Sequence, residues 1–325
     1  MVRNEGCPIE RNYLSQCMQD AFGRSHRIAS LSNFHGGAQK TVFRVTCEDG
    51  FQFVLYIWDM ANNYFQEEIQ AASDHQESFG AELFENNNRF LLQQGIKTPA
   101  LYYMNKERSV YANDFAFVEY IQGDYLSSYF TAERSVQDQI FIPFRDQLMR
   151  MHDSRRQLWG KAGRSAGGYS ESCHTEIYEN AIEQLRYASL YEDCLARNRM
   201  RLTRLLDGFA AALTPRSDYG FIHSELGPDH VLVNDKLEPY IIDIEGAMFF
   251  DVEHEHSFME FRFDNYRHYL DRADLDEDRM RMYKLCHHLS LSAGGLKLMQ
   301  RGFPNRLLAE EIMQSNVENS LRFLD

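Results

Sequence analysis

At 325 residues, 44% hydrophobic and 25% charged, the chain has a globular composition and is long enough for one large domain or two lobes sharing a cleft. Forty-eight acidic residues against 34 Lys and Arg give a formal charge of −14, which argues against nucleic acid or an anionic membrane as the main partner. No apolar run approaches the ~20 residues of a bilayer span, and the opening residues lack the apolar core of a signal peptide, so a cytoplasmic location is expected.

Residues 8–30 carry scattered apolar positions and read as a short helical lead-in. Strand-like runs at 41–45 and 51–58 flank Glu48-Asp49-Gly50, and Asp-Gly supplies the backbone freedom of a tight hairpin turn. Just ahead of them lies HGGAQK, residues 35–40. Residues 81–94 repeat apolar side chains at helical spacing through Leu83, Phe84, Phe90 and Leu91, with Gly95 as a stop and Pro99 beyond it. Strands near 100–104 and 115–121 complete a strand-rich first part. From there the pattern is mainly helical, over 136–153, most of 174–213 and 278–301, interrupted by strand-like residues 231–245. These elements predict an α+β chain with a β-rich lobe over 1–121 and a mainly helical lobe over 122–325. Six cysteines without a CxxC pair predict reduced, packed thiols rather than disulfides or structural zinc.

The segment FIHSELGPDHVLV, 221–233, followed by YIIDIE, 240–245, carries the chemistry. VLV-NDKLE-PYIID reads as two short strands joined by a polar turn. His223 and Glu225 then precede the first strand, His230 leads into it and Asp243 ends the second. Two carboxylates and an imidazole so gathered match the needs of phosphoryl transfer, in which a carboxylate orients the attacking hydroxyl and further ligands hold a divalent metal on the nucleotide phosphates.

H-x-E-x-x-x-x-H followed by I-I-D resembles the catalytic loop and metal-binding strand of the aminoglycoside phosphotransferase family, usually H-G-D-x-x-x-x-N and I-D, on a bilobal protein-kinase-like fold. The resemblance implies Glu225 as catalytic carboxylate and His230 with Asp243 as ligands of Mg²⁺. It places Asp251 and Glu255, within FFDVEHE, on two later conserved acids, Asp251 supporting the site and Glu255 lining an acceptor pocket. His223 is expected to tie the catalytic loop to its neighbours. Upstream, Gly36 and Gly37 resemble the nucleotide loop. Glu119, Tyr120 and Ile121 before Gly123 resemble the hinge for the nucleotide base, and Glu85, with Glu82 as alternative, lies on the helix that carries the ion-pair glutamate. Residues 148–152, LMRMH, resemble a large-lobe motif.

Besides His230 at the usual Asn, the sequence departs from that pattern in two places that bear on the chemistry. Tyr56 stands where the family has its phosphate-binding lysine, and Lys40 is the candidate to replace it. The catalytic aspartate has become Glu225, one methylene longer. The resemblance implies transfer of the γ-phosphoryl of ATP or GTP to a hydroxyl of a small acceptor, either a cationic, aminoglycoside-like antibiotic or a metabolite. A pseudokinase that binds nucleotide or ligand without turnover is the alternative, supported by Tyr56 and Glu225. A protein kinase is disfavoured because no A-P-E-like stretch follows Asp243. H-x-E also opens zinc deaminase signatures, but the required P-C-x-x-C is missing. The ten acids against four arginines over 251–279 suit either a cation pocket or a solvated face.

Overall fold

The computed structural model describes residues 6–23, 26–34, 38–72, 77–163 and 172–325. In chain order come α1 (Arg11–Phe22), β1 (Ile28–Asn33), β2 (Thr41–Cys47), β3 (Gln52–Trp58), α2 (Gln66–Ala71), α3 (Ala81–Gln93), β4 (Leu101–Asn105), β5 (Asp114–Glu119) and β6 (Gly123–Tyr125). Then follow α4 (Arg134–Asp153), β7 (Arg155–Arg156), α5 (Cys173–Ala188), α6 (Asp193–Ala212), β8 (Tyr219–Ile222), β9 (Val231–Asn234), β10 (Pro239–Ile241) and β11 (Met248–Phe250). The helices α7 (Val252–Arg262), α8 (Tyr266–Tyr269), α9 (Glu277–Gln300) and α10 (Arg306–Leu321) complete the chain. It divides into two compact units, residues 1–128 with 230–246, and residues 129–229 with 247–325.

The first unit is built on an antiparallel five-stranded sheet in the order β1-β2-β3-β5-β4. The expected hairpin forms there, with Thr41 opposite Ile57 and Thr46 opposite Gln52. Alternation along β2 turns Phe43 and Val45 inward. They meet Phe53, Leu55, Phe115 and Phe117 from the neighbouring strands and Leu14 and Met18 from α1 in one apolar core. The helical lead-in is confined to α1, and Ile28 onward is already strand: Gly23 adopts the left-handed conformation that closes a helix.

The hairpin β9–β10 groups with this unit although it lies more than a hundred residues further along the chain. β6 pairs with β9, placing Gly123 opposite Asn234, so close that a β-carbon on Gly123 would stand 1.8 Å from the Val233 carbonyl oxygen. The Ile241 amide donates to the Lys97 carbonyl at 2.9 Å, and the Lys97 ammonium meets Glu238 at 2.7 Å.

The second unit is mainly helical. α9 is buried on most of its circumference and packs against α5, α6, α7 and α10, so its sequence shows no single apolar stripe. Leu185, Leu202, Leu206, Met282, Leu289 and Met313 belong to its core. At Gly295 an added β-carbon would meet the Ala309 carbonyl oxygen at 2.6 Å, which marks the close approach of α9 and α10. The helical stretch expected over 174–213 is interrupted at residues 189–192. There the Ser189 hydroxyl bonds the Leu185 carbonyl at 2.7 Å, and Asp193 opens the second helix with an acid in its first turn. A small sheet, β11-β8-β7, carries the segment leading to Glu225. No helix among the described residues is long and apolar enough to cross a membrane.

Candidate active site

In the first unit, the β9–β10 hairpin brings His230 and Asp243 together. Its turn is set by Asn234, whose side-chain oxygen accepts from the amides of Lys236 and Glu238, both at 2.9 Å. At the open end the Ile242 amide donates to the His230 carbonyl at 2.9 Å. That clamp leaves His230 Nε2 at 3.5 Å from Asp243 Oδ2. Asp243 itself has φ of +60°, a left-handed conformation that aspartate tolerates better than most residues.

The Lys40 ammonium forms ion pairs with both Asp243 and Glu245, the latter at 2.7 Å, and lies 5.0 Å from the centre of the Tyr56 ring. Burial disfavours its charge, but Asp243 and then Glu245 outweigh that and hold the ammonium protonated well above the ordinary lysine range. Burial likewise pushes the Tyr56 phenol upward, so Tyr56 is neutral at any physiological pH. Its ring packs edge-on against Trp58 and Phe84.

Glu245 is buried, and its Oε1 accepts from Trp58 Nε1 at 3.1 Å as well as from Lys40, whereas its Oε2 has no hydrogen-bond partner among the described residues. Asn87, on α3, donates to the Ile244 and Glu245 carbonyls at 2.7 and 3.3 Å and pins that turn. The sequence pattern assigns no individual role to Glu245, Trp58 or Asn87. The available signal was that Glu245 lies two positions beyond Asp243.

The remaining first-unit candidates lie elsewhere. The Glu85 carboxylate meets Lys106 at 2.5 Å and Arg89 at 3.4 Å, both exposed, and no ion pair joins it to Lys40 among the described residues. Glu119 ends β5, and its side chain accepts from the Ala100 amide at 3.0 Å, while Ile121 is buried. Gly36 and Gly37 lie outside the described residues.

In the second unit, β8 delivers the loop that carries His223 and Glu225. His223 is buried and Glu225 is exposed. Between them Ser224 has φ of +79°, which costs a serine about 1–2 kcal/mol. Glu255 from α7 stabilises the loop: its Oε1 accepts from the amides of His223 and Ser224 at 2.5 and 3.1 Å, and its Oε2 meets His152 Nε2 at 2.5 Å. Glu255 was expected to face the acceptor. It is instead fully buried with both oxygens engaged by the protein, so it holds the loop from behind. Burial lifts its carboxyl to about 7, against the pull of His223 and the two amides, and burial depresses His152 to about 3. The neutral imidazole thus donates to the carboxylate at alkaline pH.

Asp251, where α7 begins, is also fully enclosed. It pairs with Arg279, accepts from the Tyr283 hydroxyl at 2.6 Å and lies 3.7 Å from Arg216, which forms a two-pronged bridge to Glu253 at 2.6 and 2.9 Å. The network fixes α7 and hence the carboxylate under the loop.

The half-exposed Asp243 carboxylate beside an imidazole fits a divalent ion on nucleotide phosphates, with the carboxylate as the better magnesium donor.

The family model described as "Phosphotransferase enzyme family" matches residues 30–283. No curated protein sequence matches the chain. Among solved structures, a spectinomycin phosphotransferase, APH(9)-Ia, in complex with ADP and spectinomycin is similar with TM-score 0.63 and 14% identity, over 97% of this chain and 98% of that one. A thermostable mutant of aminoglycoside phosphotransferase APH(4)-Ia, in ternary complex with ADP and hygromycin B, is similar with TM-score 0.60 and 14% identity, over 94% and 98%. At such identities the likeness is one of fold, and the fold is protein-kinase-like.

Proposed function

Because the chain belongs to the phosphotransferase enzyme family, we propose that it is a small-molecule kinase that moves the γ-phosphoryl group of ATP or GTP to a hydroxyl of its acceptor. The observation that carries this reading is the convergence of Lys40, His230 and Asp243 in the first unit. A phosphate-binding cation and two metal-ligand groups at one point are what a nucleotide triphosphate requires. In this reading Asp243 and His230 hold Mg²⁺, which when bound draws negative charge off the phosphate oxygens. Lys40 binds the phosphates, the positions around Glu119 and Ile121 receive the base, and Glu225 accepts a hydrogen bond from the acceptor hydroxyl and orients its oxygen for in-line attack. The buried Glu255 holds Glu225's loop in the strained shape that presents it.

An acceptor of the aminoglycoside or spectinomycin type is the first to test, because the structural neighbours bind hygromycin B and spectinomycin. The net charge of −14 favours a cationic ligand over an anionic one. The test is magnesium-dependent consumption of ATP and of GTP by the purified protein, with and without a panel of hydroxylated antibiotics and metabolites. Acceptor-dependent consumption that vanishes in Asp243→Ala supports the kinase. Nucleotide-induced thermal stabilisation without consumption for any acceptor favours a nucleotide-binding pseudokinase, and the absence of both defeats the reading.

A further inference from the structure

We propose that Glu245 is a positioning residue for Lys40, and that the two form the charge pair that orients the phosphate-binding cation of this chain. The inference rests on the proposed nucleotide site and adds to it the group that aims the lysine.

Three observations converge on Glu245. Its Oε1 receives Lys40 Nζ at 2.7 Å and Trp58 Nε1 at 3.1 Å, so one oxygen is held between a cation and a fixed indole donor. The backbone that carries it is clamped by Asn87 through two carbonyls. Its side chain is 6% exposed against 46% for Asp243, although both meet the same ammonium. A buried carboxylate with fixed partners acts on a lysine differently from a half-exposed one. The exposed acid exchanges partners with solvent and ions readily, whereas the buried one keeps the ammonium where it is. Lysine has a flexible stem with a rotating point charge, so its direction has to be imposed from outside.

Glu85, the acid expected to pair with the phosphate lysine, is taken by Lys106 and Arg89 at exposed positions. Tyr56, at the position expected for that lysine, contributes an aromatic face 5.0 Å from Lys40 Nζ, which favours the ammonium without fixing its direction. Lys97, Lys106 and Arg108, other cations of the first unit, pair with Glu238, Glu85 and Asp114. Lys40 meets Asp243, so an ammonium kept by Glu245 stays beside the carboxylate that would hold the metal. A triphosphate is then drawn to Lys40 and the metal ligands together.

The test compares wild type, Glu245→Gln, Glu245→Ala, Lys40→Met and the double variant Lys40→Met with Glu245→Gln. Binding of ATP, ADP and adenosine is measured by calorimetry alongside thermal melting. Glu245→Gln keeps an oxygen for Trp58 and for Lys40 and removes the charge, so it should fold but melt below wild type, since the buried ammonium loses one of its two counter-charges. It should weaken ATP by about tenfold, the effect expected of one charge-assisted interaction, and leave adenosine unchanged. Glu245→Ala should show the same selectivity. The double variant should bind ATP no more weakly than Lys40→Met alone, because the glutamate acts only through the lysine. Unchanged ATP affinity in Glu245→Gln, or effects that add in the double variant, would overturn the pairing while leaving the nucleotide site standing. A wild-type protein that binds neither ATP nor ADP would overturn the site itself.

Discussion

The buried carboxylate of Glu255 accepts the backbone amide of His223 at 2.5 Å, and this bond joins helix α7 to the loop that carries Glu225. Glu255→Ala removes the buried acceptor that the amides of His223 and Ser224 share and is expected to cost about 2–4 kcal/mol, with turnover falling alongside. Glu255→Gln should recover most of that stability. Its oxygen serves the two amides, and the neutral His152 can turn an unprotonated nitrogen to the new amide group. Urea midpoints of the two variants, compared with wild type, decide the matter.

The Asp251–Arg279 pair makes a sharper demand, because Arg279 is among the largest fully buried side chains in the molecule. Asp251→Ala leaves that guanidinium and the Tyr283 hydroxyl without their shared acceptor and should cost about 3–5 kcal/mol. Asp251→Leu combined with Arg279→Met should be more stable than Asp251→Ala alone, since no buried charge is left unpaired. A double variant as weak as the single one would count against the charge pair as the source of the loss.

Acid should weaken the second unit. Burial holds His287 at about 4, His152 at about 3, and His254 and His256 well below the ordinary 6.5. A histidine with a depressed folded-state pKa contributes stability above the unfolded value, and that contribution is lost as pH falls below about 6.5. Each such histidine should subtract about 1.4 kcal/mol per pH unit. Glu255 works in the opposite sense between its ordinary 4.5 and about 7, its contribution fading as pH rises. One carboxyl against four imidazoles leaves a net loss on acidification from pH 6.5 to 5, measurable as a falling denaturation midpoint. His287→Gln keeps a donor for the His254 carbonyl and should flatten the slope by the equivalent of one proton.

The two halves of the proposed machinery should separate in kinetics. Glu225→Gln should keep nucleotide affinity and lose turnover, by at least about a hundredfold if the carboxylate orients the acceptor. Turnover that survives this change would remove Glu225 from the reaction.

His230 allows a metal test. An imidazole suits manganese better than magnesium, whose preferred donors are oxygens. Wild-type protein should therefore bind nucleotide more tightly with Mn²⁺ than with Mg²⁺, and His230→Asn should narrow the difference. Calorimetry with either metal reads this directly, and identical preferences in both proteins would exclude His230 as a ligand.

Local pattern made part of this molecule legible. Alternating side chains and Asp49-Gly50 give the β2–β3 hairpin, helical spacing and Gly95 give α3, and the motif residues point to the kinase-like fold. Pattern fails where burial is complete. α7 places His254, Glu255 and His256 in the interior, so it shows no polar face, and its acids resemble pocket residues when they are internal supports. Glu245 is hard to read from pattern for a related reason. Its importance comes from Trp58, Asn87 and Lys40, contributed by segments 158 to 205 positions away, and no local rule reports partners at that separation.

Neither unit is one continuous length of chain, and this bears on synthesis. A fragment ending at Ser128 would contain β6 without its neighbour β9 and Lys40 without either of its acids. The first unit therefore cannot be excised by cutting at a single peptide bond. A growing polypeptide must extend through Gly246 before that unit holds all of its parts, so its last strands and its charged centre assemble only after α4, α5 and α6 have been made.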